Sequence, residues 1–193
     1  LPALLERLPG DRPVTILDLA TGCGDIPLAI SRWARQRGTN IEITASDISD
    51  DILALAQEEI AGTPDISLAR HDARAVQLPD RSFDIVLCSL SLHHFPPNEA
   101  VEVLREMHRL SRAGFILNDL CRSRSGYVAA WIAAHLTTRN RLTRNDAPLS
   151  VRRAFTVEEL EELLARAGIE HAMTSTHLWF RMAAVSQGAP VDA

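Results

Sequence analysis

An apolar run from Val14 to Leu19 carries one acid, Asp18, and gives way to Ala20-Thr21-Gly22-Cys23-Gly24 before Pro27 and Leu28-Ala29-Ile30 follow. This pattern reads as a buried strand, a turn with two glycines one residue apart, and the opening of a helix. Together they form a cradle in which backbone amides approach a ligand closely. The spacing argues against a dinucleotide, because the third glycine of that fingerprint falls where Pro27 stands. The turn also lacks the lysine of a phosphate loop. With Asp18 just before the turn, the cradle suits a ligand bearing an ammonium and a carboxylate better than a pyrophosphate.

Strand-like and helix-like segments alternate onward from Val14, which predicts a parallel sheet with helices on both faces. Strands are expected at Val14–Leu19, Ile41–Ser46, Ile66–Ala69, Phe83–Cys88 and Gly114–Leu117. Helices are expected over Ile26–Arg37, from an Asp50 or Asp51 cap to Ile60, and over Asn98–Ser111. The alternation then breaks. Tyr127–Leu136 has a helical pattern with Tyr127, Trp131 and His135 on one face, whereas Thr137–Ser150 is polar and Arg-rich. Thr156 and Glu159 form a capping box that starts a helix to Ala167, closed by Gly168. The last two strands, around Ile169–Ser175 and Leu178–Val185, stand too close together for a helix between them and predict an antiparallel hairpin.

The segment D-x-A-x-G-x-G, met at Asp18, Ala20, Gly22 and Gly24, resembles the first motif of the class I S-adenosylmethionine-dependent methyltransferases. The order of elements resembles that family along nearly the whole chain. The resemblance implies a Rossmann-like, doubly wound α/β sheet of five parallel strands plus a C-terminal antiparallel hairpin, seven strands in all. It implies one methyltransferase domain over 1–193, with a substrate-cover insert at about 120–154. The cofactor it implies is S-adenosyl-L-methionine, leaving S-adenosyl-L-homocysteine as product.

Cofactor contacts carry over residue by residue. Asp18, Ala20, Gly22, Cys23 and Gly24 would hold the amino-acid end, mostly through backbone groups. Asp47, 25 residues after Gly22, would accept from the ribose diol, the alternative being a cap for the next helix. Ile48 would lie against adenine. Asp72 would accept from the adenine amino group and the Ala73 amide would donate to the ring; the alternative is a loop acid paired with Arg70 or Arg74. Ser89, which follows the fourth strand, would lie beside the cofactor.

The methyl on a sulfonium is electrophilic, so the protein's part is alignment for in-line displacement and a base where the nucleophile holds a proton. His93 and His94, in Leu92-His93-His94-Phe95, are the candidate bases; packing beneath the cofactor is the alternative. Asn118, with Asp119 beside it, is placed to face substrate or to cap the next segment. In the insert, Tyr127, Trp131 and Ile132 would wall an apolar pocket. Arg152 and Arg153 would meet a carboxylate, phosphate or phenolate, or lie on a solvated face.

Charge narrows the partners. The net charge is −5, which disfavours nucleic acid, yet Cys121–Arg153 holds seven Arg against one acid, Asp146. That block suits an acceptor delivered from an anionic membrane surface, and no apolar stretch approaches the roughly 20 residues a span requires. Cys23, Cys88 and Cys121 are widely spaced and read as reduced thiols of a cytoplasmic protein, with neither a disulfide framework nor a metal site. The chain shows no secretion signal. An N/D-P-P-Y tetrapeptide after the fourth strand is missing, which lowers methylation of base or glutamine nitrogen. The expected acceptor is a small, largely apolar phenol or quinol, with oxygen ahead of carbon, as the resemblance to ubiquinone/menaquinone-biosynthesis methyltransferases implies. The alternatives are a methyltransferase acting on RNA or protein, and a binder of the cofactor without catalysis.

Overall fold

Seven strands make one sheet in the computed structural model, which describes residues 1–5, 8, 12–138, 140–177 and 180–187. In chain order the elements are α1 (Pro2–Leu5), β1 (Val14–Leu19), α2 (Asp25–Arg37), β2 (Ile41–Asp47), α3 (Asp50–Glu59), β3 (Ile66–Arg70) and β4 (Phe83–Ser89). A 3-10 turn (Leu92–His94) leads to α4 (Pro97–Leu110), β5 (Ser111–Leu120), α5 (Arg124–Thr137), α6 (Arg141–Arg153), α7 (Val157–Arg166), β6 (Ala172–His177) and β7 (Arg181–Gln187). The strand order is β3-β2-β1-β4-β5-β7-β6. The first five strands are parallel, and β7 runs antiparallel to both β5 and β6.

Alternate residues of β1 show how the two layers form. Ile16 faces the core shared with Leu28 and Ala34 of α2 and Ile43 of β2. Leu17 and Leu19 face the other core, with Leu104 and Met107 of α4, Phe115 of β5 and Leu160 and Leu164 of α7. Chain order reverses between β1 and β4, so the loops after these two strands open side by side at the carboxyl edge, where α/β sheets bind ligands. At the opposite edge the fully buried Asp84 ties the sheet together. It accepts both guanidinium nitrogens of Arg12 (2.6 and 2.7 Å) and the Thr15 N–H and hydroxyl (2.9 Å each). Burial alone would raise its pKa, but Arg12 and Thr15 outweigh that and hold it at about 2.

Elsewhere the structure departs from expectation in ways with local causes. The cap of α3 is Ser49, whose Oγ accepts from the Ile52 N–H at 3.4 Å; Asp50 and Asp51 lie inside the first turn. The stretch expected to be irregular after Thr137 contains α6, with Pro148 inside it. Its Asn, Asp and Pro are poor helix formers, and packing against α5 overrides that preference. Strand β5 starts at Ser111, three residues before Gly114, because a register shift between Phe83 and Ile85 lets both Ser111 and Gly114 pair with β4. The capping box forms as expected: Thr156 Oγ1 accepts from Glu159 N–H at 3.3 Å, and Glu159 accepts from Thr156 N–H at 2.9 Å. Ile169 ends that helix instead of starting β6, its N–H donating to Leu164 O at 2.9 Å. Leu178, expected to start the last strand, lies outside the described residues.

Gly114 marks the tightest seam in the sheet. Its φ is +138°, and a Cβ there would stand 2.0 Å from Ser186 O in β7. Gly114→Ala is therefore expected to destabilise the protein by about 3 kcal/mol or to prevent folding. Urea-denaturation midpoints measure it, and a shift below about 0.5 kcal/mol would show that β7 yields freely.

Candidate functional site

Three alternate positions of left-handed backbone shape the turn after β1: Ala20 (φ 53°), Gly22 (60°) and Gly24 (84°). Gly24 has a second reason to lack a side chain, since a Cβ would lie 3.1 Å from the Ile60 methyl at the end of α3. The turn is pinned from both neighbouring strands. Thr21 N–H donates to Ser46 O of β2 at 2.8 Å, and Ser91 Oγ, after β4, donates to Ala20 O at 3.0 Å. Cys23 is exposed on the turn.

Asp18 is buried beneath this cradle. Its Oδ2 accepts from the Thr21 hydroxyl at 2.6 Å, but its Oδ1 has no hydrogen-bond partner among the described residues. Burial pushes its carboxyl up to about 7, with the Thr21 bond opposing and the charges of Asp25 and Asp47 adding. A buried, half-satisfied carboxyl is costly unless a donor or cation completes it.

Asp47, at the end of β2, accepts from Gly22 N–H (3.3 Å) and Ser49 N–H (3.1 Å), one bond on each oxygen. It does not cap α3, and its carboxylate keeps acceptor capacity on both oxygens. Ile48 beside it is half exposed, an apolar side chain that the core does not use. Asp72, after β3, is gripped by Arg74 through Nε (2.9 Å) and Nη2 (2.8 Å), and Arg74 also bonds Glu99 of α4 at 2.6 Å. Arg74 holds the Asp72 carboxyl below its ordinary range. Asp72 thus pairs with Arg74 and not with Arg70, which reaches Asp50 and Ile48 O. Ala73 is buried just beyond it.

Strands β4 and β5 end together, with Ser89 paired opposite Asn118. Asp119, the next residue, does not face substrate. It has no exposure and accepts three bonds: His93 Nδ1 at 2.6 Å, His93 N–H at 2.8 Å and Leu120 N–H at 2.7 Å. The ring of His94 stands 4.1 Å from that of His93. Burial lowers the His94 pKa, His93 and Arg153 push the same way, and Asp119 opposes them, so the ring is neutral near pH 7.

A cavity of about 570 Å³ reaches both histidines, its walls including Phe95, Phe155, Leu163 and Arg153. A separate groove of about 580 Å³ lies between α5 and α6 and is lined by Tyr127, Val128, Val151, Arg122, Arg124 and Arg152. Arg152 and Arg153, either of which is expected to meet an anion, line two different hollows. Trp131 lines neither; it is half exposed and stacked on His135, with ring centroids 4.2 Å apart. Ile132 is also exposed.

A family model described as a methyltransferase domain matches residues 16–114, which run from β1 into β5 and include the cradle, Asp47, Asp72 and both histidines. The chain belongs to that family. It is thereby a class I S-adenosylmethionine-dependent methyltransferase, with S-adenosyl-L-methionine as the family's cofactor. Among curated proteins, the ubiquinone/menaquinone biosynthesis C-methyltransferase UbiE of Rickettsia akari is 35% identical over 103 residues, covering 48% of this chain and 40% of the relative. The UbiE of Bradyrhizobium diazoefficiens is 33% identical over 108 residues, covering 54% and 41%. The chain thus spans less than half the length of these relatives. Among solved structures, a SAM-dependent methyltransferase from Aquifex aeolicus aligns with a TM-score of 0.65 at 14% identity, over 97% of this chain and 89% of that one. The CMeT domain of the citrinin polyketide synthase aligns with a TM-score of 0.71 at 16% identity, over 96% and 49%. These likenesses establish the fold.

The residues present fit the cofactor. The orphaned Asp18 Oδ1 matches a ligand that brings a cation, and Asp47 retains acceptor sites for a diol. Sequence reasoning missed Thr21 and Ser91, whose hydroxyls set the cradle. Serine and threonine in loops are too common to signal this. It also put Asp119 on the substrate side, although alternation along β5 turns Asn118 and Asp119 to opposite faces.

An unfolded chain ionises Asp18 near pH 3.8, whereas the folded one does so at about 7. Between those values the folded state holds the extra proton, so this residue's contribution to stability falls as pH rises. Asp18→Asn removes that dependence. The stability of the ligand-free variant relative to wild type should rise by roughly 2 kcal/mol from pH 5 to pH 8. A pH-independent difference in melts would contradict the buried, protonated state. In calorimetry, Asp47→Ala should weaken S-adenosylmethionine binding at least tenfold, about 1.4 kcal/mol. Unchanged affinity would remove the ribose role.

Proposed function

We propose that this protein methylates a small, largely apolar phenol of the quinone-precursor type, with His93 as the base that takes the hydroxyl proton. The observation that carries this reading is the buried bond between His93 Nδ1 and Asp119. A carboxylate on Nδ1 keeps the proton there, which leaves Nε2 as the lone-pair nitrogen facing the acceptor side. The Asp119 bond to the His93 N–H fixes the backbone as well, so ring and loop are held as one unit. Asp119 is a positioning residue; its full burial keeps it from contact with substrate.

S-adenosylmethionine, when bound, supplies an electrophilic methyl group. Asp18, the amides of Ala20–Gly24, Asp47, Ile48, Asp72 and Ala73 would hold it, with Ser89 at the neighbouring strand end. The chain's own contribution is to orient the acceptor and accept its proton. Arg153, on the wall of the cavity that reaches both histidines, would draw the phenolate form. Phe95, Phe155 and Leu163 would take the apolar ring. Asn118 and Tyr127 stay as expected acceptor contacts nearer the insert, whereas Trp131 lies outside both hollows.

Proton removal from a phenol spreads negative charge onto the oxygen and the ring carbons ortho and para to it. The same base therefore serves O- and C-methylation. In the latter the methylated ring carbon then loses its hydrogen as a proton to solvent while the oxygen regains the proton that His93 holds, which restores the phenol. Sequence alone places oxygen first, but the C-methyltransferase names of the relatives favour carbon, and carbon is the reading proposed.

His93→Ala and Asp119→Asn should each lower kcat by 10²-fold or more while leaving cofactor affinity unchanged. Loss of rate in Asp119→Asn should come with a shifted pH profile. His94→Ala should cost less. NMR of the product from a hydroxyarene panel separates an O-methyl from a C-methyl carbon. Wild-type rates in both His93→Ala and Asp119→Asn, across pH 6–9, would overturn the base assignment.

A further inference from the structure

Helix α5 is built inside out for a helix in water. The stripe it buries is made of small residues, Gly126 and Ala134 with the half-buried Ala130 between them, which allows close approach of α6. Its large apolar side chains are left to solvent: Val128, at the mouth of the α5–α6 groove, Trp131, Ile132 and Leu136 are 53, 48, 45 and 81% exposed. At helical spacing they form a band along the outward side. A water-facing helix ordinarily shows the reverse distribution, and a contiguous apolar band signals a covering partner.

The rim of the band is basic. Arg124, at the start of α5, and Arg141 and Arg152, on α6, are exposed, and none has an ion-pair partner among the described residues. Residues 121–153 contain a single acid, Asp146. A second copy meeting this face by a two-fold axis would set these arginines against their own equivalents, an arrangement that like charges oppose. An anionic surface matches the rim, and an apolar interior matches the band.

We infer that the outward face of α5, rimmed by Arg124, Arg141 and Arg152, docks onto a bilayer containing anionic phospholipid. The helix would lie in the interface plane with Val128, Ile132 and Leu136 among the acyl chains and Trp131 at the headgroup level. The arginines would meet lipid phosphates. No helix among the described residues is long and apolar enough to cross a membrane, so attachment by this face is peripheral. This inference does not depend on the acceptor or the base assignment.

The full chain should sediment with vesicles of phosphatidylcholine containing 30% phosphatidylglycerol, and at least tenfold less with phosphatidylcholine alone. Binding should weaken in 0.5 M NaCl, and tryptophan emission should shift to the blue on binding in wild type but not in Trp131→Phe. Val128→Ser with Ile132→Ser and Leu136→Ser should reduce vesicle binding at least tenfold while keeping the melting temperature and S-adenosylmethionine affinity. Arg124→Glu with Arg141→Glu should abolish the preference for phosphatidylglycerol. Failure of the wild-type chain to sediment with either vesicle would overturn the inference. So would equal binding by the serine variant, or a dimer in analytical ultracentrifugation that the serine variant disperses.

Discussion

Three donors converge on the carboxylate of Asp119, and the active edge of the sheet takes its shape from them. The ring nitrogen and the amide of His93, together with the Leu120 amide, hold a carboxylate that no solvent reaches. A charge taken out of water is tolerated only when its lone pairs are filled, and here they are filled by groups from two chain segments. The end of β5 is thereby joined to the short turn after β4, and the histidine pair cannot swing without uncovering the charge. The other buried acid at this edge, Asp18, differs in kind. One of its oxygens has no donor among the described residues, which leaves it open to a ligand that brings one.

These two acids lie on opposite faces of one sheet and divide the work. Asp18 belongs to the layer of α2 and α3 and underlies the glycine turn; Asp119 belongs to the layer of α4 and α7 and underlies the histidines. Ser91 links them, because its hydroxyl reaches back from the β4 turn to the Ala20 carbonyl. The cofactor cradle and the candidate base are thus neighbours through a serine and the ends of adjacent parallel strands.

The parallel core was legible in the sequence because its signals are local and redundant. Buried strands such as Phe83–Ser89 read as unbroken apolar runs, and the Thr156–Glu159 box announces its helix in four residues. The place of Asp47 was legible because the apolar alternation of Ile41–Ser46 gives way to an acid there, and β2 ends on it. The site's supporting bonds were not, since Thr21, Ser91 and Arg74 act through partners that only the folded chain brings near. Helix α6 was hidden for a different reason. Its sequence disfavours a helix, and its packing on α5 supplies what propensity withholds. Arg152 and Arg153 show the limit of adjacency as a guide, for neighbours on a helix point about 100° apart and these two open onto separate hollows.

At the edge far from the cradle, Asp84 binds Arg12 and Thr15 and joins the chain's early residues to β4. The α5–α6 pair, in contrast, packs chiefly on itself, and its main contact with the rest is α6 against the turn at Leu92–His94. Cohesion is thus concentrated at one end of the strands and variability is permitted at the other. A hairpin of helices attached in this way behaves as an exchangeable cassette. Drift within it leaves the sheet intact, so one contiguous stretch of about thirty residues can be replaced while every strand keeps its partners.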